Sequence, residues 1–294
     1  MLPIGDSVIF HDSTFFSRFP DRGTLPLPHD VRAEHLRTPG LKKYETRNPP
    51  LVRYTQLNLV VKFGSEVTIA EGQCLWALRK LLSNGPYCVP VPEIYGWRTD
   101  GDQVFIYQEL VTGVTLADRW NGLEDEEKKH IVQKLKDMVH GLRLLQQDPS
   151  DVFIGHIGRQ KLLDKTLPTF SLNTAGPFRS VKEFHDWFFG LLRWKNEPYR
   201  RDVPDDAPIV FTHADFDPSN IIVPSFGRPE ILALVDWHGA GWYPAYWEYS
   251  KAIFHGFGLD NLSIIFGCNL QKNGVHHNFA EAWHHVIGCA GVLG

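Results

Sequence analysis

The hydrophobic period of this chain changes once, near residues 109–114, and the change restricts the folds open to it. Before that point the apolar runs are short and β-branched. Residues 51–63 read as two strands, LVRYTQ and LNLVVKF, and VFIYQEL as a short buried one. One helix interrupts them: Thr68 opens TIAEGQCLWALRKLL, whose Ile69, Leu75, Leu78 and Leu82 roughly suit one face. PYCVPVPEIYGW is a proline-punctuated connection into a further strand. After Thr112-Gly113 the period turns helical. EDEEKKHIVQKLKDMVHGLRLLQQ carries Ile131, Leu135, Val139, Leu142 and Leu145 at steps of three and four. Its first turn is acidic, where the helix dipole favours negative charge. SVKEFHDWFFGLLRW and the aromatic tail from Tyr246 also read as helical, while residues 150–180 show little period. Two apolar runs, FTHADFDPSNIIV and EILALVDWHGAG, flank a polar turn and read as a hairpin over 211–238.

This order predicts an α+β, two-lobed chain. Residues 1–40, rich in Pro, Asp, His and Arg, form an irregular N-terminal extension with one short helix in HDVRAEHL. Residues 41–111 form a small β-rich lobe with one helix, and residues 112–294 a larger, mainly helical lobe that carries the hairpin.

Composition narrows the function. Hydrophobic residues at 43% and charged residues at 22% are globular values. The formal charge of -4, with no long basic run to offset it, argues against a nucleic-acid partner. The start MLPIGDSVIFHDSTFF lacks the basic and apolar regions of a signal peptide. No apolar run reaches the roughly 18 residues of a membrane span. Cys74, Cys88, Cys268 and Cys289 are scattered, with no CxxC spacing, and read as reduced thiols, Cys74 and Cys88 as buried small hydrophobes. The expectation is a cytoplasmic monomer.

The chemistry concentrates in His213-Ala-Asp215-Phe-Asp217-Pro-Ser-Asn220-Ile-Ile-Val and the later Ala233-Leu-Val-Asp236-Trp237. If the two apolar strands pair, Asn220 and Asp236 meet at one end. A carboxylate with an amide oxygen suits a hard cation such as Mg²⁺. Asp215 lies alongside, free to orient and deprotonate a hydroxyl. Phosphoryl transfer needs both functions.

HxDxxPxN followed by VDW resembles the catalytic segment of aminoglycoside phosphotransferases and choline-kinase-like enzymes, distant relatives of protein kinases. Val61-Lys62 at a strand end and Glu71 at a helix start resemble the strand lysine and helix glutamate of kinases, and IYQELVTGVTL the hinge between kinase lobes. AGWYPAYWEY, GPF at 176–178 and IGHIG look like a large group of fungal proteins of this family. The resemblance covers roughly residues 50–260. It implies a protein-kinase-like fold and an ATP- and Mg²⁺-dependent phosphotransferase acting on a hydroxyl of a small metabolite, in metabolism rather than antibiotic resistance. It implies Asp215 as the catalytic carboxylate, Asn220 and Asp236 as Mg²⁺ ligands, and Lys62, steadied by Glu71, on the α/β-phosphates. Backbone groups around Glu109 to Val111 would take the adenine edge.

The sequence departs from the family pattern at three places. Ala214 replaces the common glycine, His238 and Trp247 stand where many members are acidic, and the segment before Lys62 contains no glycine for a phosphate loop. These departures motivate a second reading: a pseudokinase-like member that binds a nucleotide or metabolite, or does other biosynthetic chemistry. Local rivals exist as well. DPSN is a turn signature, Lys62 suits a solvated strand end, and Thr68-Ile-Ala-Glu71 is a capping box that would draw Glu71 away from Lys62. His213 reads as a loop-fixing residue. The histidines at 276–277 and 284–285 share a possible helix face. Trp237, Trp242, Tyr243, Tyr246 and Trp247 read as core. Asp186, Glu183, Asp202, Asp205, Asp206, Glu248 and Asp260 are the carboxylates available to meet a cationic acceptor.

Overall fold

The computed structural model describes residues 1–37, 49–82, 88–167, 169–191, 200, 203, 205–253 and 259–266. The chain divides into two units, Met1–Lys80 with Val91–Thr112, and Leu81–Pro90 with Gly113–Gly294.

The first unit is built on an antiparallel five-stranded sheet. Its strands are β1 (Ser7–Ile9), β2 (Leu51–Tyr54), β3 (Leu59–Gly64), β4 (Ile94–Asp100) and β5 (Gln103–Glu109), in the order β1-β4-β5-β3-β2. The β2–β3 and β4–β5 hairpins match the runs read from the sequence. Residues 1–37 hold the helix expected in HDVRAEHL but are more regular than the expected extension. Ser7–Ile9 pairs with Gly96–Arg98 as an edge strand, followed by helices α1 (Thr14–Arg18) and α2 (Pro28–Arg37). Gly96 permits that pairing, because a Cβ there would stand 2.4 Å from the Val8 carbonyl oxygen. Phe15, Leu25 and Val31 from this segment join Val52, Val61, Phe63, Tyr95, Phe105 and Tyr107 in one apolar core. A three-residue strand gives too little alternation to read, which is why its pairing was not visible in the sequence.

Helix α3 (Ile69–Leu82) supplies Glu71 in its first turn. Gly72 lets it lie close to the sheet: a Cβ there would stand 2.9 Å from the Trp97 ring. That indole donates to the Gly5 carbonyl at 2.9 Å. Cys74, on the same helix, is buried as expected, whereas Cys88 is exposed.

The second unit contains helices α4 (Leu116–Trp120), α5 (Asp125–Arg143), α6 (Val181–Gly190), α7 (Trp247–Ala252) and α8 (Leu259–Phe266). The acidic start of α5 works as a cap, with the Glu124 N–H donating to the Glu127 carboxylate at 3.0 Å. Its apolar stripe, including Ile131, Leu135, Val139 and Leu142, is buried. Trp237, Trp242, Tyr243, Tyr246 and Trp247 are all buried, as core residues should be. No helix among the described residues is long and apolar enough to cross a membrane. The histidines at 276–277 and 284–285, and Cys268 and Cys289, lie outside the described residues.

The expected hairpin over 211–238 is more divided than its apolar runs suggest. Each run breaks into two strands at its polar residues. β7 (Ile209–Thr212) pairs with β10 (Gly241–Pro244), while β8 (Ile221–Val223) pairs with β9 (Ala233–Leu234) and with the two-residue β6 (Val114–Thr115). The breaks coincide with Ala214 and Asp236, whose φ of 63° and 64° are incompatible with a continuing strand.

Candidate active site

The loop from β7 to β8 sets the geometry of the second unit's site. Its DPSN segment does form a turn, a single 3₁₀ turn over Pro218–Asn220 capped by Asp217, whose carboxylate accepts from the Ser219 N–H at 2.7 Å. The turn and the site are therefore compatible. It delivers Asn220 to the start of β8, where its amide nitrogen donates to the Asp215 carbonyl at 2.9 Å and carboxylate at 3.0 Å. On the facing strand the Val235 N–H donates to the Asn220 carbonyl at 2.9 Å, and Ile221 pairs with Leu234. Asn220 and Asp236 thus flank the same end of one ladder, with Asp215 tied to Asn220.

Three buried groups hold Asp215 in place. His213 is fully buried, accepts the Asp215 N–H on Nδ1 at 3.2 Å, and has Nε2 3.1 Å from the Val235 carbonyl. These contacts fix a neutral tautomer, and burial lowers the ring's pKa to about 4. His213 therefore bridges the two segments as a neutral ring. Glu248 accepts the His213 N–H at 2.6 Å and the Ala214 N–H at 3.2 Å. Burial raises its carboxyl to about 7. Lys251 donates to the Ala214 carbonyl and, at 2.7 Å, to Asp164. An alanine in the left-handed region costs roughly 1 kcal/mol. Here its N–H and its carbonyl are both held by buried ionisable side chains, Glu248 and Lys251.

Asp215 and Asp236 are about a quarter exposed, at 24% and 23%. Lys165 lies between them: its ammonium donates to Asp236 Oδ2 and stands 3.8 Å from Asp215 Oδ2. The donor set suits Mg²⁺. It consists of carboxylate and amide oxygens, the Asn220 nitrogen is already committed to Asp215, and the carboxylates already draw a cation between them. Among the described residues no group of three or more His, Cys, Asp or Glu side chains could hold a metal alone. A Mg²⁺ here would need further oxygens from phosphate.

In the first unit Lys62 and Glu71 form a bidentate pair, with Nζ 2.9 and 2.8 Å from the two carboxylate oxygens. Both residues are buried, at 5% and 1% exposure. Glu71 is turned onto Lys62, and the Thr68 hydroxyl, the other half of the capping box, is buried without a partner. Lys62 is therefore no solvated edge charge. At residues 109–111, the Glu109 N–H donates to the Glu93 carbonyl at 2.8 Å and the Leu110 N–H to the Asn58 carbonyl at 3.1 Å. The Val111 N–H has no such partner among the described residues.

The sequence model of the Phosphotransferase enzyme family matches residues 51–284. The chain belongs to this family. Solved structures agree on the kinase-like fold. The GDP and kanamycin complex of APH(2")-IIia superposes with a TM-score of 0.57 at 15% identity, covering 96% of this chain and 92% of that one. The ADP-bound aminoglycoside phosphotransferase APH(2'')-Ib gives 0.51 at 12% identity over 87% and 86% of the two chains. No curated protein sequence matches the chain. Within this phosphotransferase, four residues around the loop escaped sequence reasoning: Asp164, Lys165, Lys251 and, in its loop-holding role, Glu248. The first two lie in the aperiodic stretch 150–180, and their partners are 71 to 87 residues away. A single sequence carries no signal for pairings of that range.

Proposed function

We propose that this phosphotransferase transfers the γ-phosphoryl group of ATP, with Mg²⁺, to a hydroxyl of a small metabolite. The observation that carries the reading is the grouping of Asp215, Asn220 and Asp236 at one end of the β8–β9 ladder, with a cation drawn between the two carboxylates. Asp215 would orient the acceptor hydroxyl and take its proton as the new O–P bond forms and the bond to ADP breaks. Asn220 and Asp236 would hold Mg²⁺, which neutralises phosphate charge when bound. In the first unit, Lys62, held by Glu71, would contact the α/β-phosphates, and the Val111 N–H is the donor left for the adenine edge. Solved relatives in this fold are described as complexes with ADP and with GDP, which supports a nucleotide as donor.

Four of the second unit's candidate acceptor carboxylates have partners inside the protein. Asp186 pairs with Lys182 and Arg200, Asp205 with Arg200 and His185, and Glu183 accepts from the Arg179 N–H. Glu248 is buried beneath the catalytic loop. These four carboxylates are thus engaged within the protein, while Asp206 is exposed and Asp202 lies outside the described residues. Calorimetry tests the donor assignment. ATP should bind in the presence of Mg²⁺ and lose that dependence in Asp236→Ala; equal affinity with and without Mg²⁺ in the unmodified protein would refute it.

A further inference from the structure

We propose that Lys165 is a second catalytic cation of this site: it balances Asp215 and Asp236 before loading and moves onto the transferred phosphoryl group afterwards. The inference rests on the phosphotransferase reading above. Lys165 reaches both carboxylates, with its ammonium on Asp236 Oδ2 and 3.8 Å from Asp215 Oδ2. These are the group assigned to the acceptor proton and the group assigned to the cation, so the phosphoryl group in transit must pass beside them.

The backbone that carries Lys165 is fixed. Asp164, immediately before it, is fully buried and accepts from Lys251 at 2.7 Å and from the Trp247 indole at 3.0 Å. Immediately after it, the Thr166 N–H and hydroxyl both donate to Asp164, and the Leu167 N–H donates to the Asp164 carbonyl at 3.0 Å. The lysine side chain itself is 36% exposed. A pinned Cα with a mobile four-carbon arm suits a group that exchanges one anion for another nearby.

The exchange follows from charge. A divalent cation that takes Asp236 competes with the ammonium for the same oxygen. Once displaced, Lys165 remains tethered next to the incoming phosphates, the strongest anions then present. In the transfer step the acceptor oxygen bonds to phosphorus, the bond to the ADP oxygen breaks, and the acceptor proton goes to Asp215. Lys165 keeps its proton throughout and stabilises charge on the equatorial oxygens.

Two binding measurements test this without knowledge of the acceptor. The first is titration with Mn²⁺ alone, followed by electron paramagnetic resonance. The second compares affinity for MgADP with affinity for MgADP plus aluminium fluoride, a mimic of the phosphoryl group in transit. Lys165→Met should bind Mn²⁺ about fivefold more tightly, the worth of one partly exposed ion pair. Its MgADP affinity should rise by no more than that same factor, whereas its affinity for the fluoride complex should fall about 100-fold, as for removal of one preorganised donor. Lys165→Arg should recover much of that second loss. A merely structural salt bridge would not move the two readouts in opposite directions. Unchanged Mn²⁺ affinity, or an unchanged fluoride complex, in Lys165→Met overturns the proposal. Asp236→Asn serves as the control. If it leaves Mn²⁺ binding intact, the cation site itself is wrong; if it abolishes Mn²⁺ binding while Lys165→Met changes nothing, only the role of Lys165 fails.

Discussion

Replacing Asp164 by Asn should cost more stability than any single change at the exposed rim of the site. Asp164 is 0% and Lys251 2% exposed, so the variant leaves a buried ammonium without its counter-charge. Breaking a buried pair from one side typically costs about 3–5 kcal/mol. Lys251 keeps the Ala214 carbonyl as a partner, and asparagine can still accept one of the hydrogen bonds from Trp247 or Thr166. The expected loss is therefore near the lower end, about 3 kcal/mol, a large share of the roughly 5–15 kcal/mol that holds a typical domain. Removing both charges, as Asp164→Leu with Lys251→Met, takes away the unpaired ion and should cost less than Asp164→Asn alone. Urea denaturation followed by tryptophan fluorescence, with each single variant and the pair, measures the coupling. A loss below about 1 kcal/mol for Asp164→Asn, or strict additivity in the double variant, would refute the view that this pair anchors the loop.

Two further predictions concern the other buried charges. Glu71→Gln should destabilise the protein by about 3 kcal/mol, because Lys62 is only 5% exposed and loses its counter-ion, and should weaken MgATP binding in calorimetry; unchanged stability and affinity would refute the pairing. The second is a pH dependence. His156 is fully buried with no charged partner, and burial lowers its pKa to about 4, outweighing the backbone groups of Ile157 and His238 near its ring. Below the unfolded value of about 6.5 the unfolded chain takes up a proton that the folded one refuses. Stability from His156 and His213 is therefore full above pH 6.5 and is lost as pH falls towards 4. Glu248, raised to about 7 from 4.5, acts the other way, and its contribution is lost as pH rises through that window. Two histidines against one glutamate leave a net rise in stability with pH between 4.5 and 6.5. His156→Phe should flatten that rise in urea titrations, and an unchanged slope would contradict the assignment.

The parts of this fold visible in the sequence are those set by local pattern. The β2–β3 hairpin, α3 and α5 follow from period and capping over contiguous residues, and Asn220 with Asp236 follows from two apolar runs that pair. Position in a motif also brought Lys62 and Glu71 together, against the capping-box signal at Thr68. In that contest a buried ammonium next to the carboxylate outweighs a backbone cap worth about 1 kcal/mol. The strand breaks at Ala214 and Asp236 were hidden because positive φ at non-glycine residues is imposed by distant partners, here Glu248 and Lys251 for Ala214. Lys165 was hidden for the same reason, since nothing in DKT announces a partner at Asp236. The edge strand Ser7–Ile9 is too short for its alternation to register, and its partner Gly96 signals only a close approach.

The central claim is phosphoryl transfer at Asp215. Phosphorus NMR of ATP and Mg²⁺, with a mixture of hydroxylated metabolites, follows the γ-phosphoryl group directly. The unmodified protein should convert ATP to ADP with a new phosphate-ester resonance. Asp215→Ala, folded as judged by circular dichroism, should slow this by at least about 100-fold, the scale of a lost general base. Full transfer activity in Asp215→Ala would contradict the account.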